Sequence, residues 1–381
     1  MHIQKTELES ANCSPTQPLV THNPLWKDQA VDPSLHLKNG FMSDEQFETF
    51  TLFLGCIVQI FNIAAFVGNN LNIAVFVKLG FSEPSNISLI ALAVADLSCV
   101  MASLWGIMSV LISFSDFKLP FNPTNLSHIT VGGIFSFASR TIAWITAFIS
   151  FERCVCILVP LKVKSIITPT STLTAIIMIV TLTFCPYFYA YLRYKFVWVF
   201  YPNLNATILD IVPVDYFLAL EQVISVICGV IQPLLAFSIV LICTVFLVTQ
   251  LRKISSWRKS VTSTIGQLGD KSGENSAPIS PPAKDRLSHK EQRLGKMVVL
   301  IAATFIVSNT PTCVLLLCNT VFQEFSVFGV YRRLYIILVF VTTLGQSVSG
   351  SVNILIYYNM ASKFRSHLRQ LLRLERQEQK Q

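Results

Sequence analysis

The chain has 381 residues, 52% hydrophobic and only 13% charged, with a formal net charge of +8 and a mean hydropathy of +0.56. Soluble domains carry about 25% charged residues, so a surface this apolar belongs in a bilayer rather than in water. The Lys and Arg residues sit between long apolar runs instead of forming one basic face, which points to the lipid bilayer and away from a nucleic-acid partner.

Taken in chain order, residues 1–49 are polar and acidic, with Glu7, Glu9, Asp28, Asp32, Asp44, Glu45 and Glu48. They lack the apolar core of a signal peptide, so the first membrane helix is expected to direct insertion. Apolar runs follow at 50–77, 87–113, 129–156, 171–192, 216–251, 296–320 and 334–358. Crossing roughly 30 Å of hydrocarbon takes about 20 residues of helix, and a spanning backbone must satisfy its own hydrogen bonds. The expectation is therefore an all-α fold, a seven-transmembrane helix bundle over 50–358. Within it, 252–293 reads as a flexible, Ser-, Gly- and Pro-rich cytoplasmic loop between helix extensions. Residues 359–381 form the cytoplasmic tail; in 361–374, Phe364, Leu368 and Leu371 share one face, with Lys363, Arg365, Arg369 and Arg373 around them. That pattern predicts a short amphipathic eighth helix lying on the inner leaflet.

Charge asymmetry sets the orientation. With the N-terminus outside, the long loop before the sixth run and the tail collect most of the basic residues on the cytoplasmic side. Three glycosylation sequons, at Asn12, Asn125 and Asn205, then fall outside, whereas the one at Asn86 falls at an inner helix end. A multi-pass plasma-membrane protein with a cytoplasmic C-terminus is expected.

Ionisable residues within a span are costly and are functional candidates by default. Three are well embedded: Asp96, Arg140 and Glu221. A transporter would show more of them, with broken half-helices in matching positions of two repeats. No histidine lies deep in a span and no Cys/His cluster has metal-ligand spacing, so neither an enzyme nor a resident metal or other cofactor is expected.

Short motifs narrow the class. The first run carries Gly68-Asn69, the second LAVAD ending at Asp96, and the third ends Glu152-Arg153-Cys154. The fifth contains Pro233, the sixth Phe305 and Pro311, and the seventh ends at Asn353 through Tyr357. In this order and at these depths the chain resembles the rhodopsin-like (class A) G-protein-coupled receptors. The context around Phe151–Thr168 is similar to invertebrate, particularly molluscan, neuropeptide and chemosensory receptors. The resemblance implies that Arg153 pairs with Glu152 at rest and engages a heterotrimeric G protein when active. It places Tyr357 at the same coupling end, and makes Glu291 the second acid of a cytoplasmic latch. Glu291 stands 20 residues before Pro311, about 30 Å along a helix, which matches the level of Arg153. A charged pair at the end of a span is also within reach of water.

The resemblance further gathers Asn69, Ser349 and Asn353 around Asp96 as a polar core network. Ile142 stands where the family usually has a hydroxyl, so water is expected there and sodium is an option rather than an expectation. Arg140 invites two readings. It could bridge to Glu221, or it could capture the carboxylate or amide of a ligand alongside Phe135 and Asn309. Backbone carbonyls would also satisfy it.

Several positions depart from the family. His128 and the Cys-free stretch 193–215 remove both halves of the usual outer disulfide. Asn309 replaces the Trp before the sixth-helix proline, Ile354 replaces the seventh-helix Pro, and Leu241 replaces the fifth-helix Tyr. The run 334–358 has no lysine for retinal, and Phe135 stands where amine receptors have Asp. The remaining inputs are an extracellular peptide or a small chemosensory ligand. Acids at Asp116, Asp210, Asp215, Glu221 and Glu324 suit a cationic peptide, while the missing disulfide favours a divergent chemosensory branch. Serines at 260, 272, 276, 280 and 288 are candidate sites for a receptor kinase, with arrestin as a further partner. The competing readings are a transporter-like protein or a seven-helix protein that does not couple.

Overall fold

The computed structural model describes residues 42–378, apart from 114–119, 122–125, 128–129, 131, 160–161, 193, 202–205, 214–222, 225, 270–288, 323 and 326–329. Seven of its helices are long and apolar enough to cross a membrane. Helix α1 spans Asp44–Leu79, α2 Pro84–Ser113 and α3 Gly132–Leu158. A single turn, Val163–Ile166, leads to α4 (Pro169–Leu192). After a π-helical turn at Ile227–Ile231 come α5 (Gln232–Gly269), α6 (His289–Val321) and α7 (Arg332–Met360), and the amphipathic α8 covers Ser362–Glu378. The helical extensions expected around the long cytoplasmic loop thus reach Gly269 and His289.

Local chemistry explains where α1 starts and stops. Ser43 and Gln46 form a reciprocal capping box, in which each backbone N–H donates to the other's side chain at 3.1 and 3.2 Å. Gly80 ends the helix with φ +84°, a left-handed conformation that costs glycine nothing.

One element was not foreseen. The stretch read as an outer loop folds largely as an antiparallel hairpin of β1 (Tyr194–Tyr201) and β2 (Ala206–Pro213). Its first strand is almost entirely aromatic and β-branched, the composition that suits a pleated surface. Phe196, Trp198 and Phe200 alternate along one exposed face. Leu209 N–H donates to the Pro120 carbonyl at 2.9 Å, tying the hairpin to the segment that leaves α2. Backbone bonding thereby orders part of the end of the bundle where the resemblance would place a disulfide. Nine cysteines among the described residues form no disulfide.

The bundle packs in two apolar groups. The larger lies toward the Arg153 end and includes Phe76, Leu92, Ile149, Leu247, Met297 and Phe364. The smaller uses Ala143 and Ala147 of α3, Ala236 and Val240 of α5, and Ala302 and Phe305 of α6. Its alanines let backbones approach closely, which is how helices gain contact energy when lipid is as apolar as they are. Helices α6 and α7 approach closely at one glycine: a Cβ on Gly345 would lie 2.8 Å from the Ser308 carbonyl oxygen. Gly345→Val is therefore expected to push α7 off α6 and destabilise the protein by about 3 kcal/mol. A fall in the melting temperature of detergent-solubilised protein would register it; an unchanged value would show that the helices slide apart at no cost.

Candidate functional site

The polar residues of the bundle gather at three levels. The first is the end of α3. Glu152 and Arg153 are only 2% and 8% exposed, which corrects the expectation that this pair reaches water. The reason lies in α2, whose Ser85 and Ser88 pack against the pair. Arg153 donates from Nη2 to Glu152 Oε1 at 3.2 Å and also to the Ser85 hydroxyl. Ser88 donates to the other carboxylate oxygen of Glu152 at 3.3 Å. Sequence reading missed both serines, although their spacing of three residues places them on one face of α2. Glu291 lies in the first turn of α6, and its side chain is outside what is described.

Tyr357 does not join this group. It is buried in a three-ring cluster, edge-on to Phe76 of α1 at 5.1 Å and tilted against Phe364 of α8 at 5.6 Å. Phe364 closes the triangle with Phe76 at 5.1 Å. In this conformation the tyrosine fastens α7 and α8 to α1 rather than meeting Arg153.

The second level surrounds Asp96. Asn353 donates to its Oδ2 at 2.8 Å, as expected. Asn69 bonds instead to the carbonyl of Ala65 and accepts from Asn72. Asn69 and Asp96 both lie against Gly350. A Cβ there would lie 3.7 Å from Asn69 Nδ2 and 3.9 Å from the Asp96 carboxyl carbon. Ser349, Phe135 and Asn309 line a small cavity with Asp96. Its volume of about 20 Å³ has room for roughly one water.

Further from Arg153, an unforeseen chain of amides and hydroxyls continues this network. Asn62 donates to Ser103 at 2.9 Å and to Gln59 at 3.1 Å, and accepts from Ser347 at 2.7 Å. Gln346 donates to Ser139 at 2.7 Å and accepts from the Cys99 thiol at 3.7 Å. The signal was present: Asn62 and Asn69 are seven residues apart on one face of α1. Exchanging the central pair tests its energetics. Asp96→Ala should cost about 2 kcal/mol by orphaning the Asn353 amide, whereas Asp96→Asn with Asn353→Asp should recover most of that in a thermal-unfolding assay.

The third level holds Arg140. Its Nε donates to the Cys228 carbonyl at 3.1 Å and its Nη2 to the Gly229 carbonyl at 3.4 Å. Both belong to the π turn, and Pro233 explains why they are available. Proline has no N–H, so it leaves Gly229 without a donor in the α register and Cys228 without one in the π register. Tyr187 of α4 lies against the same guanidinium. Among the described residues Arg140 has no carboxylate partner. Glu221 lies outside the described residues, as do His128 and the sequons at Asn12, Asn125 and Asn205.

Seven spanning-length helices around an Asp96–Asn353 core, with a buried acid–arginine pair at one end, define a multi-pass receptor-type membrane protein. Residues 57–375 match the serpentine type 7TM GPCR chemoreceptor Srw family, and the chain belongs to that family. No curated protein matches it.

Proposed function

We propose that the protein is a chemosensory receptor of the plasma membrane that converts binding of an extracellular ligand into activation of a heterotrimeric G protein. The observation that carries this reading is the buried contact of Arg153 with Glu152 and Ser85. A guanidinium held this way is withdrawn from any partner, and it becomes available only when the helix ends separate. Two arrangements of one element, differing by a few kcal/mol, are what a ligand can bias. Glu291 is proposed as the second acid of the latch, and Phe135 and Asn309 as the floor of the ligand site. Arrestin and a receptor kinase are proposed as the partners that end the signal.

A small chemical ligand fits better than a cationic peptide. Of the acids that suited a peptide, Asp210 is 5% exposed and its carboxylate accepts from the Ile211 N–H at 2.8 Å. The N-terminus is placed outside on the distribution of basic residues. Glycosidase treatment should then shift the mobility of the cell-surface protein, and replacing Asn12, Asn125 and Asn205 together should remove the shift. G-protein activation by panels of small chemicals and of peptides, in cells bearing the receptor at the surface, tests the function. Silence against both panels, or responses that survive Arg153→Ala, would overturn it.

A further inference from the structure

The junction of α7 with α8 gathers two arginines on one aromatic ring. Arg365 and Arg369 hold their guanidiniums 5.8 and 5.9 Å from the centre of the Tyr358 ring. Arg369 also donates from Nη2 to the Tyr358 hydroxyl at 3.1 Å. We propose that these three side chains bind the phosphate of an anionic lipid, a phosphomonoester joined directly to glycerol, in the leaflet at the Arg153 end of the bundle.

The charges call for an anion. Like charges four residues apart on a helix repel, and among the described residues no carboxylate meets either arginine. The tyrosine ring draws both guanidiniums toward itself, so two positive charges are held together without being neutralised. The Tyr358 hydroxyl accepts from Arg369, which leaves its own proton to donate. A phosphate can accept from both guanidiniums and from this hydroxyl at once. A monoester brings about two negative charges, matching the two arginines.

Position favours a lipid over a phosphate in solution. Leu355, one turn before Tyr358, lies within the apolar span of α7 and is 59% exposed, so this side of the helix meets hydrocarbon. Arg365, Arg369 and Leu372 follow at helical spacing on one face of α8, and Leu372 is 48% exposed. Phe364 and Leu368 are instead buried in the bundle. The cationic pair is thus bracketed by exposed leucines, as suits the boundary between acyl chains and water. Tyr358 stands two residues before Met360, where α7 ends, about 3 Å along the axis. At that depth the phosphate within reach is the one next to the acyl chains. Phosphates carried on the far side of a larger headgroup would stand beyond it.

The test is native mass spectrometry of the full chain released from phosphatidylcholine nanodiscs doped with phosphatidic acid or with phosphatidylglycerol. Phosphatidic acid should be retained about fivefold better than the diester, whose phosphate carries a single charge. Arg365→Gln and Arg369→Gln should each weaken its retention about fivefold, and Tyr358→Phe about threefold. Replacing both arginines by lysine keeps the charge without the planar fork, and should recover less than half of wild-type retention. Lys363→Gln removes the same charge from the other side of α8, roughly 200° around the helix from Arg365, and should change nothing. Equal retention of the two lipids would overturn the proposal, as would a Lys363→Gln effect as large as that of Arg369→Gln. Full displacement by glycerol 3-phosphate would overturn it too, by making a soluble phosphate the occupant. Retention needs no G protein, so a failure here leaves the signalling reading intact.

Discussion

Glu152→Gln should raise ligand-independent G-protein activation by about tenfold at equal surface expression. The carboxylate is the only charge opposing Arg153 among the described residues, and both side chains are buried. A buried guanidinium that loses its counter-ion costs about 3 kcal/mol or more. Structures that release it to water therefore gain relative to the closed one. Part of that penalty is relieved by the Ser85 hydroxyl and by relaxation, and a residual bias of about 1.4 kcal/mol shifts the population tenfold. Ser88→Ala should act in the same direction and more weakly, because it removes one neutral donor from the carboxylate. Arg153→Ala should be silent at every ligand concentration. Guanine-nucleotide exchange in membranes measures all three. A Glu152→Gln protein with wild-type basal activity would show that the pair is a packing feature and not a restraint.

The second large effect is expected at Arg140. Arg140→Met removes the donors from two carbonyls that Pro233 has already cut off from their own helix. Leaving them unpaired should cost about 2 kcal/mol, net of the desolvation that the absent charge no longer incurs. Arg140→Lys should recover little, since an ammonium lacks the planar fork that spans two neighbouring acceptors. Pro233→Ala combined with Arg140→Met should restore stability by returning an N–H to the turn. Pro233→Ala in the wild type should be neutral or harmful, because the new donor competes with Arg140. A double-mutant cycle on thermal unfolding reads this coupling directly. Additive effects would mean that the arginine and the proline are independent, leaving Arg140 to serve a ligand.

The membrane architecture was legible because its cause is written residue by residue. Twenty apolar side chains in succession have few alternatives to a spanning helix, and each of the seven runs reappears with its ends moved by a few residues. The largest shift is at α5, where helix continues well past the apolar run to Gly269. Polarity there reports only that the chain has left the lipid. The hairpin was missed because its first strand carries the same apolar signal as a short buried segment, although Pro202, Asn203 and Asn205 are turn residues placed between the two strands.

Site residues divided in a similar way. Asp96 stood out because a lone carboxylate in lipid demands a donor, and the family resemblance, not that demand, supplied Asn353 together with Asn69 and Ser349. Arg140 demanded partners equally, but backbone carbonyls have no letter in a sequence. Only the proline five residues beyond Cys228 hinted at where they would be free. The Asn62 and Gln346 chains escaped notice because uncharged amides do not stand out among Ser and Thr residues that bond to their own helices. Tyr357 was assigned to the coupling end by its motif; its place in the ring cluster depends on a turn into α8 that only the backbone reveals.

The length of α5 has a mechanical consequence. From Gln232 to Gly269 it runs 38 residues without interruption, about 57 Å at 1.5 Å per residue. The turn clamped by Arg140 stands at one end of this rod and Gly269 at the other. A tilt of about 5° at the clamped end would carry the tip through about 5 Å, close to the pitch of one helical turn. The protein thus possesses a long lever anchored at Arg140, and slight repacking around that single arginine is amplified into a displacement at the far tip of α5.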